Sequence, residues 1–228
     1  MKLRYVSLTG ADNKVNIADL EHLSEQYPFF ECAILMFPER EGKSRNPTID
    51  WRESFYNSKV KNRAIHLCGS IINKLANKDE DLIAELMNVQ RVQINLKPQW
   101  SSNELLLQLV SVVESLPQIE FITQYNENNK EYFSYWDSVK NHSYLYDSSL
   151  GKGLAPEDWL PPVLDKRTGY AGGLSPSNVH EQLIKISKVS DVIPVWIDME
   201  SGVRTDDNFD LEKATQVLDI TTQFLKKY

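Results

Sequence analysis

Eight short apolar runs recur along this chain, separated by segments whose apolar residues fall at three- and four-residue steps. The runs cover residues 4–8, 32–37, 64–67, 91–96, 120–124, 144–147, 169–172 and 195–199. Helical spacing is explicit in Ile17, Leu20, Leu23 and Tyr27, and again in Leu105, Leu106, Leu109, Val112, Val113 and Leu116. It returns in Leu183, Ile184 and Ile186, and in a last helix from about Phe209 through Leu211, Ala214, Val217 and Leu218 to Phe224. Strands that alternate with helices pair in parallel, because parallel neighbours need a crossover and a helix supplies it. Eight such units in 228 residues predict an α/β protein, a single-domain (β/α)8 or TIM barrel spanning residues 1–228. The competing architecture, a doubly wound open sheet, usually carries a glycine-rich turn after its first strand. Here Ser7-Leu8-Thr9-Gly10-Ala11-Asp12 holds one glycine, so neither a dinucleotide fingerprint nor a P-loop is present, and no cofactor is expected.

Charge narrows the partners. The chain has 25 Lys+Arg against 32 Asp+Glu, a net charge of −7, and no basic block. A nucleic-acid partner is therefore not expected, since a phosphate backbone asks for clustered cations. The apolar runs fall far short of the roughly 20 residues that span a bilayer. The basic start Met1-Lys2-Leu3-Arg4 lacks a long apolar stretch, so no signal peptide and no membrane partner are expected, and the cytoplasm is the expected location. Cys32 and Cys68 read as reduced, buried thiols. His22, His66, His142 and His180 form no pair with ligand spacing, so no metal is expected.

In a barrel, the polar residues at the carboxyl ends of the strands are the candidates for chemistry. Here these are Ser7 and Thr9, then His66 and Cys68, Gln93 and Asn95, Thr123 and Gln124, Asp147, and Asp198 with Glu200. Polar side chains in apolar strands are costly to bury unless paired or used. Gln93, Asn95 and Gln124 either bond one another across the mouth or bind a ligand. Asp147 and Asp198 point to function, because carboxylates at a barrel mouth need a reason. The stretch 148–168, with five Gly and Pro residues and no periodicity, is of a length that usually has a functional role.

Ala171-Gly172-Gly173-Leu174-Ser175-Pro176-Ser177-Asn178-Val179 suggests an anion site. Two glycines admit close backbone approach, Ser175 suits an N-cap and Pro176 the first helical position. A helix start there would turn free N–H groups toward an anion. Glu200-Ser201-Gly202 forms a second small-residue turn, and barrels often bind phosphate in the loops after strands seven and eight. Two ordinary tight turns with a helix cap would give the same spacing.

These residues resemble phosphoribosylanthranilate isomerase, the tryptophan-pathway TIM barrel. Asp147-Ser148-Ser149, Gly151-Lys152-Gly153 and Asp158-Trp159 resemble its strand-six aspartate, glycine-rich loop and Asp-Trp pair. Residues 172–179 resemble its Gly-Gly-Leu-x-Pro-x-Asn-Val phosphate loop, and 197–203 its Val-Asp-Val-Ser-Ser-Gly-Val. Arg4–Thr9 lies where the family has Lys-Ile-Cys-Gly-Ile-Thr, Ser44-Arg45 where it has Ser-Pro-Arg, and His66-Leu67-Cys68-Gly69 is similar to its Gln-Leu-His-Gly. The resemblance implies a general acid at Asp147, ribose contact at Asp198, phosphate contacts at Gly172, Gly173, Ser201 and Gly202, and a carboxylate anchor at Arg45. The family's base is a first-strand cysteine. Alignment on Thr9 puts Val6 there, with Ser7 on the other face, so a relocated base is sought in Cys68, His66 or Glu200. A carboxylate at Glu200 would repel phosphate unless it turns away or pairs with Arg204 or Lys152.

The expected ligand is a small phosphorylated sugar. The implied activity is cofactor-free aldose–ketose isomerisation of a phosphorylated ribose adduct. The alternatives are a phosphosugar-binding barrel that has lost the base, acting as a sensor or accessory protein, and a phosphosugar lyase or epimerase on the same scaffold.

Overall fold

In the computed structural model, eight parallel strands close into a ring in sequence order, with the last returning to the first. The structure describes residues 1–97, 101–126, 129–147 and 154–227. The strands are β1 (Lys2–Thr9), β2 (Phe30–Met36), β3 (Asn62–Leu67), β4 (Arg91–Ile94), β5 (Glu120–Tyr125), β6 (His142–Asp147), β7 (Arg167–Ala171) and β8 (Pro194–Met199). All eight apolar runs of the sequence are strands, and the fold is the expected single-domain (β/α)8 barrel.

Helices α1 (Ile17–Gln26), α2 (Ile49–Tyr56), α3 (Ile71–Ala76), α4 (Glu80–Leu86), α5 (Asn103–Ser115), α6 (Val179–Ser190) and α7 (Leu211–Lys227) surround the strands. Their starts are set by side chains that accept orphan backbone N–H groups: Asn16 from Ala18, Thr48 from Trp51, Asp79 from Leu82, and Ser102 from Leu105. The apolar stripe of α5 buries Leu106, Leu109, Val112 and Val113 against the barrel.

Two connections depart from the plain alternation. Between β5 and β6 the chain makes a 3-10 turn at Lys130–Tyr135, where Phe133 stacks on Tyr144 at 3.9 Å and meets Tyr125 edge-on at 4.2 Å. This aromatic plug covers the barrel wall that a helix covers elsewhere. Among the described residues, none between β6 and β7 is helical.

Side-chain alternation along the strands divides the apolar interior in two. Val6, Leu8, Ile34, Ile65, Val92 and Phe121 pack outward against the helices. Ile122, Leu145, Ala171 and Trp196 form a separate cluster inside the barrel, with Tyr5 against it. Trp196 fits there because β7 offers Gly169 opposite it, where a Cβ would lie 2.1 Å from the indole. Among the described residues, no helix is long and apolar enough to cross a membrane.

A buried ionic cluster fills the barrel toward the amino ends of β4 and β5. Arg91 donates to Glu31 at 2.6 Å and lies 3.7 Å from Glu120, which also pairs with Arg4 and Arg167, each at 3.1 Å. The Arg91 guanidinium sits over the Trp196 ring at 4.2 Å and the Tyr5 ring at 4.9 Å. Ser7 donates to Glu31, and Ser143 to Glu120 at 2.7 Å.

Candidate active site

The carboxyl ends of the strands enclose a cavity of about 380 Å³. His66 enters it from β3, Gln93 and Asn95 from β4 and its end, Gln124 from β5, Asp147 from β6 and Asp198 from β8. The turns Gly172-Gly173-Leu174-Ser175 and Glu200-Ser201-Gly202 complete the wall. The barrel thus gathers, on one cavity, most of the residues singled out in the sequence. Lys152 lies outside the described residues. Among those described, no cluster of three or more His, Cys, Asp or Glu is arranged to hold a metal ion.

The two small-residue turns touch. Gly172 and Gly173 have φ of +119° and +63°, which a side chain would strain. A Cβ on Gly202 would lie 1.9 Å from the Leu174 carbonyl oxygen, so only glycine lets the two turns meet. Among the described residues, nothing accepts a hydrogen bond from the backbone N–H of Gly173, Leu174, Ser201 or Gly202. All four residues line the cavity. Unpaired amides converging on a concave surface make an anion nest.

The helix start differs from the sequence expectation. Helix α6 begins at Val179, not at Pro176. Asn178 is the cause: its Oδ1 accepts from the Ser175 N–H at 2.9 Å and its Nδ2 donates to the Gly173 carbonyl at 2.8 Å. This side chain holds residues 173–178 as a turn ahead of the helix. It takes up the Ser175 amide, while those of Gly173 and Leu174 have no acceptor among the described residues.

Among the amide side chains, Gln93 donates to Asn95 at 2.8 Å, and Asn95 donates to the Cys68 sulfur at 3.0 Å. Gln124 instead donates to Asp147 at 3.0 Å. Gln93 and Asn95 thus brace each other, Gln124 is tied to Asp147 and not to them, and all three line the cavity.

Asp198 is nearly buried and accepts from the Thr9 hydroxyl at 2.7 Å. Burial pushes its carboxyl up to about 7; the charges of Glu200, Glu31 and Asp147 add to this, and the Thr9 hydrogen bond opposes it. His66 goes the other way. Burial, and then the Arg91 guanidinium, push its imidazole down to about 3, so it is neutral at ordinary pH. Cys68 is not on the cavity wall, and burial raises its thiol above the usual range. On β1, Val6 packs into the outer core while Ser7 and Thr9 face the barrel interior, so strand one presents a hydroxyl and not a valine to the inside.

Arg45 and Glu200 are joined. Arg45 donates to Glu200 through Nη1 at 2.5 Å, and to Asp207 through Nε at 2.8 Å and Nη2 at 2.6 Å. Its backbone has φ of +72°, fixed by an N–H bond to Asp12 at 2.6 Å. Arg204 completes this knot through the Gly10 carbonyl at 2.7 Å and the Ser44 hydroxyl at 3.2 Å. The Glu200 carboxylate is drawn toward the loop after β2, where Arg45 is its hydrogen-bonded partner.

The Glu31–Arg91 pair, which no sequence motif marks, lies under this cavity, Glu31 acting on Asp198 and Arg91 on His66. Its signal was present, because an ionisable residue inside a parallel barrel strand breaks the apolar run such strands normally show.

No family model and no curated protein matches the sequence. Solved structures do match the fold. Phosphoribosylanthranilate isomerase from Thermotoga maritima superposes with a TM-score of 0.62 at 16% identity, covering 98% of this chain and 100% of that one. The enzyme from Thermococcus kodakaraensis gives 0.60 at 13% identity, and N-(5'-phosphoribosyl)anthranilate isomerase from Pyrococcus furiosus gives 0.57 at 15% identity. Each covers 96% of this chain and 98% of the other. At these identities the likeness is one of fold.

Proposed function

We propose that this protein isomerises a phosphorylated ribose adduct, turning an aldose amine into the corresponding ketose amine by general acid/base chemistry without a cofactor. The observation that carries this reading is the meeting of two carboxylates and an anion nest on one cavity. Asp147 and Asp198 face the same space as the unpaired amides of Gly173, Leu174, Ser201 and Gly202.

In this reading the amides hold the phosphate, and hydrogen bonds to a charged acceptor of this kind are roughly twice as strong as neutral ones. Gln93, Asn95, Gln124 and neutral His66 meet the sugar hydroxyls. Asp147 gives its proton to the furanose ring oxygen. The bond from C1 to that oxygen breaks, and the nitrogen lone pair forms the iminium. Asp198 then removes the C2 proton, and the C–H electrons become the enolamine double bond. Return of a proton to C1 and loss of one from the C2 hydroxyl yield the ketose.

Asp198 suits the base role because a catalytic pKa near the working pH balances ionised fraction against basicity. Cys68 and His66 suit it less, the thiol being off the cavity and the imidazole too weakly basic. The test has two arms. Calorimetry with ribose 5-phosphate reads the phosphate site. Proton NMR in D2O reads loss of the C2 proton, and deuterium entry at C1, in the adduct that ribose 5-phosphate forms with aniline. Asp147→Asn and Asp198→Asn should bind ribose 5-phosphate and lose exchange.

A further inference from the structure

His66 stands in the cavity wall without a partner for its ring. It faces inward from β3, beside Gln93 of β4 in the strand register. Only 5% of it is exposed. Yet among the described residues neither ring nitrogen is hydrogen-bonded, and neither is sealed into the packing. Its neighbours on the wall are occupied: Gln93 with Asn95, Gln124 with Asp147, and Asp198 with Thr9. His142, the other buried strand histidine, is engaged as well, with Nε2 at 2.9 Å from the Thr123 hydroxyl and its ring stacked on Trp136. A buried polar ring held open to a cavity is costly unless a ligand completes it.

The charge beneath His66 fixes its state. Arg91, two residues before Gln93 on β4, is clamped by Glu31 at 2.6 Å and lies over the Trp196 ring at 4.2 Å. Asp147, Asp198 and Glu200 are the charged residues that share the cavity with His66. Burial and the Arg91 guanidinium hold the imidazole neutral. A neutral ring offers one lone pair and one N–H, whereas a protonated ring only donates. Isomerisation needs one more proton acceptor than Asp147 and Asp198 supply, because the C2 hydroxyl must release its proton as the ketone forms. The amides of Gln93, Asn95 and Gln124 can accept a hydrogen bond but not carry that proton. A neutral imidazole does both.

We propose that His66 is a further catalytic residue, which takes the proton of the C2 hydroxyl as the carbonyl forms and passes it to Asp147. In this step Asp198 gives its proton to C1, and the electrons of the C1–C2 double bond form the new C–H bond. The O–H electrons of the C2 hydroxyl become the second bond of the carbonyl, and the proton goes to the lone pair of the His66 ring. The imidazolium near Arg91 does not keep it. Asp147, which gave its own proton to the ring oxygen, takes it up, so that all three groups end as they began. A ring too weakly basic to draw a proton from C2 is basic enough here, since a hydroxyl on a carbon turning into a carbonyl is a far stronger acid than a C–H bond. The proposal rests on the isomerase reading of the cavity.

The test measures how the enolamine divides. Each protein is mixed with ribose 5-phosphate and aniline in D2O, and NMR follows two rates: formation of the ketose amine, and entry of deuterium at C2 of the recovered aldose adduct, which reports enolamine that has turned back. The variants are His66→Gln, whose amide accepts a hydrogen bond without carrying a proton, and His66→Leu. In both, the ratio of C2 deuteration to ketose formation should rise at least tenfold over wild type. Both rates start from one complex, so weaker binding does not alter the ratio, and a purely structural loss lowers the two together. His66→Gln keeps the wall polar and carries the test if the leucine variant unfolds. An unchanged ratio, or ketose formation at the wild-type rate in a folded variant, overturns the role of His66 while the isomerase stands. If wild-type protein forms no ketose, the isomerase reading falls, and this proposal with it.

Discussion

Gly202→Ala is the sharpest perturbation of the phosphate site, because the structure fixes both its cause and its size. The added methyl would lie 1.9 Å from the Leu174 carbonyl oxygen, 2.9 Å from the Leu174 carbonyl carbon and 3.0 Å from the Ser175 Cα. All three are backbone atoms, so no side chain can swing aside. Gly202 has no positive φ, and alanine is not strained there by its own dihedrals. The whole effect is therefore steric. A relaxed carbon–oxygen contact is about 3.3 Å, so the turns after β7 and β8 must part by about 1.4 Å. Hydrogen bonds do not survive a shift of that size, and at least one amide of the nest leaves the anion. One hydrogen bond to a charged group contributes about 1.5–3 kcal/mol. With tenfold per 1.4 kcal/mol, ribose 5-phosphate should bind roughly 10- to 150-fold more weakly. Isothermal titration at fixed ionic strength reads this directly, with circular dichroism to show that the barrel is intact. A folded Gly202→Ala protein whose Kd is unchanged refutes the nest.

Three further outcomes follow from the interior. Asp198 has a folded pKa raised from 3.8 to about 7, so the folded state binds the extra proton and loses stability as pH climbs from about 4 to about 7. Asp198→Asn removes that loss, and its Tm relative to wild type should rise between pH 5 and pH 8; a pH-independent difference contradicts the assignment. Arg91→Leu strips Glu31 and Glu120 of their shared cation inside the barrel, and urea unfolding should show a loss of about 3–5 kcal/mol, the usual cost of breaking a buried pair. A loss under about 1 kcal/mol would mean the cluster is hydrated or neutral. Gly169→Ala drives a methyl into the Trp196 indole, whose ring is boxed in by Ile122, Leu145 and Arg91, and overpacking of this kind costs about 1–3 kcal/mol. Retained wild-type Tm would show that Trp196 has room to move.

The barrel was legible because its rule is local: each apolar run is a strand, and each helical pattern between runs a crossover. That logic failed where packing replaces pattern. Between β5 and β6 the wall is covered by Phe133 stacked on Tyr144, with Tyr125 edge-on, contacts that no spacing rule announces. At Asn178 a side chain overrode the capping signal of Ser175-Pro176 and moved the helix start to Val179. The cavity residues were legible as polar breaks near strand ends. What one of them does there was not, since the pKa of Asp198 depends on Glu31 and Glu200, and Arg45 is placed by Asp12, Glu200 and Asp207, contacts distant in sequence. A cation near a mouth looks like a ligand anchor until its donors are counted.

The chemistry is tested most directly by exchange at one carbon. Wild-type protein, mixed with ribose 5-phosphate and aniline in D2O, should remove the C2 proton, place solvent deuterium at C1 and accumulate the ketose amine. Its rate should rise with pH through about 7, as Asp198 ionises. Asp198→Asn should bind ribose 5-phosphate and exchange nothing. Exchange at the wild-type rate in Asp198→Asn, or none in wild-type protein that binds the phosphosugar, would contradict the base role of Asp198 and the isomerase with it.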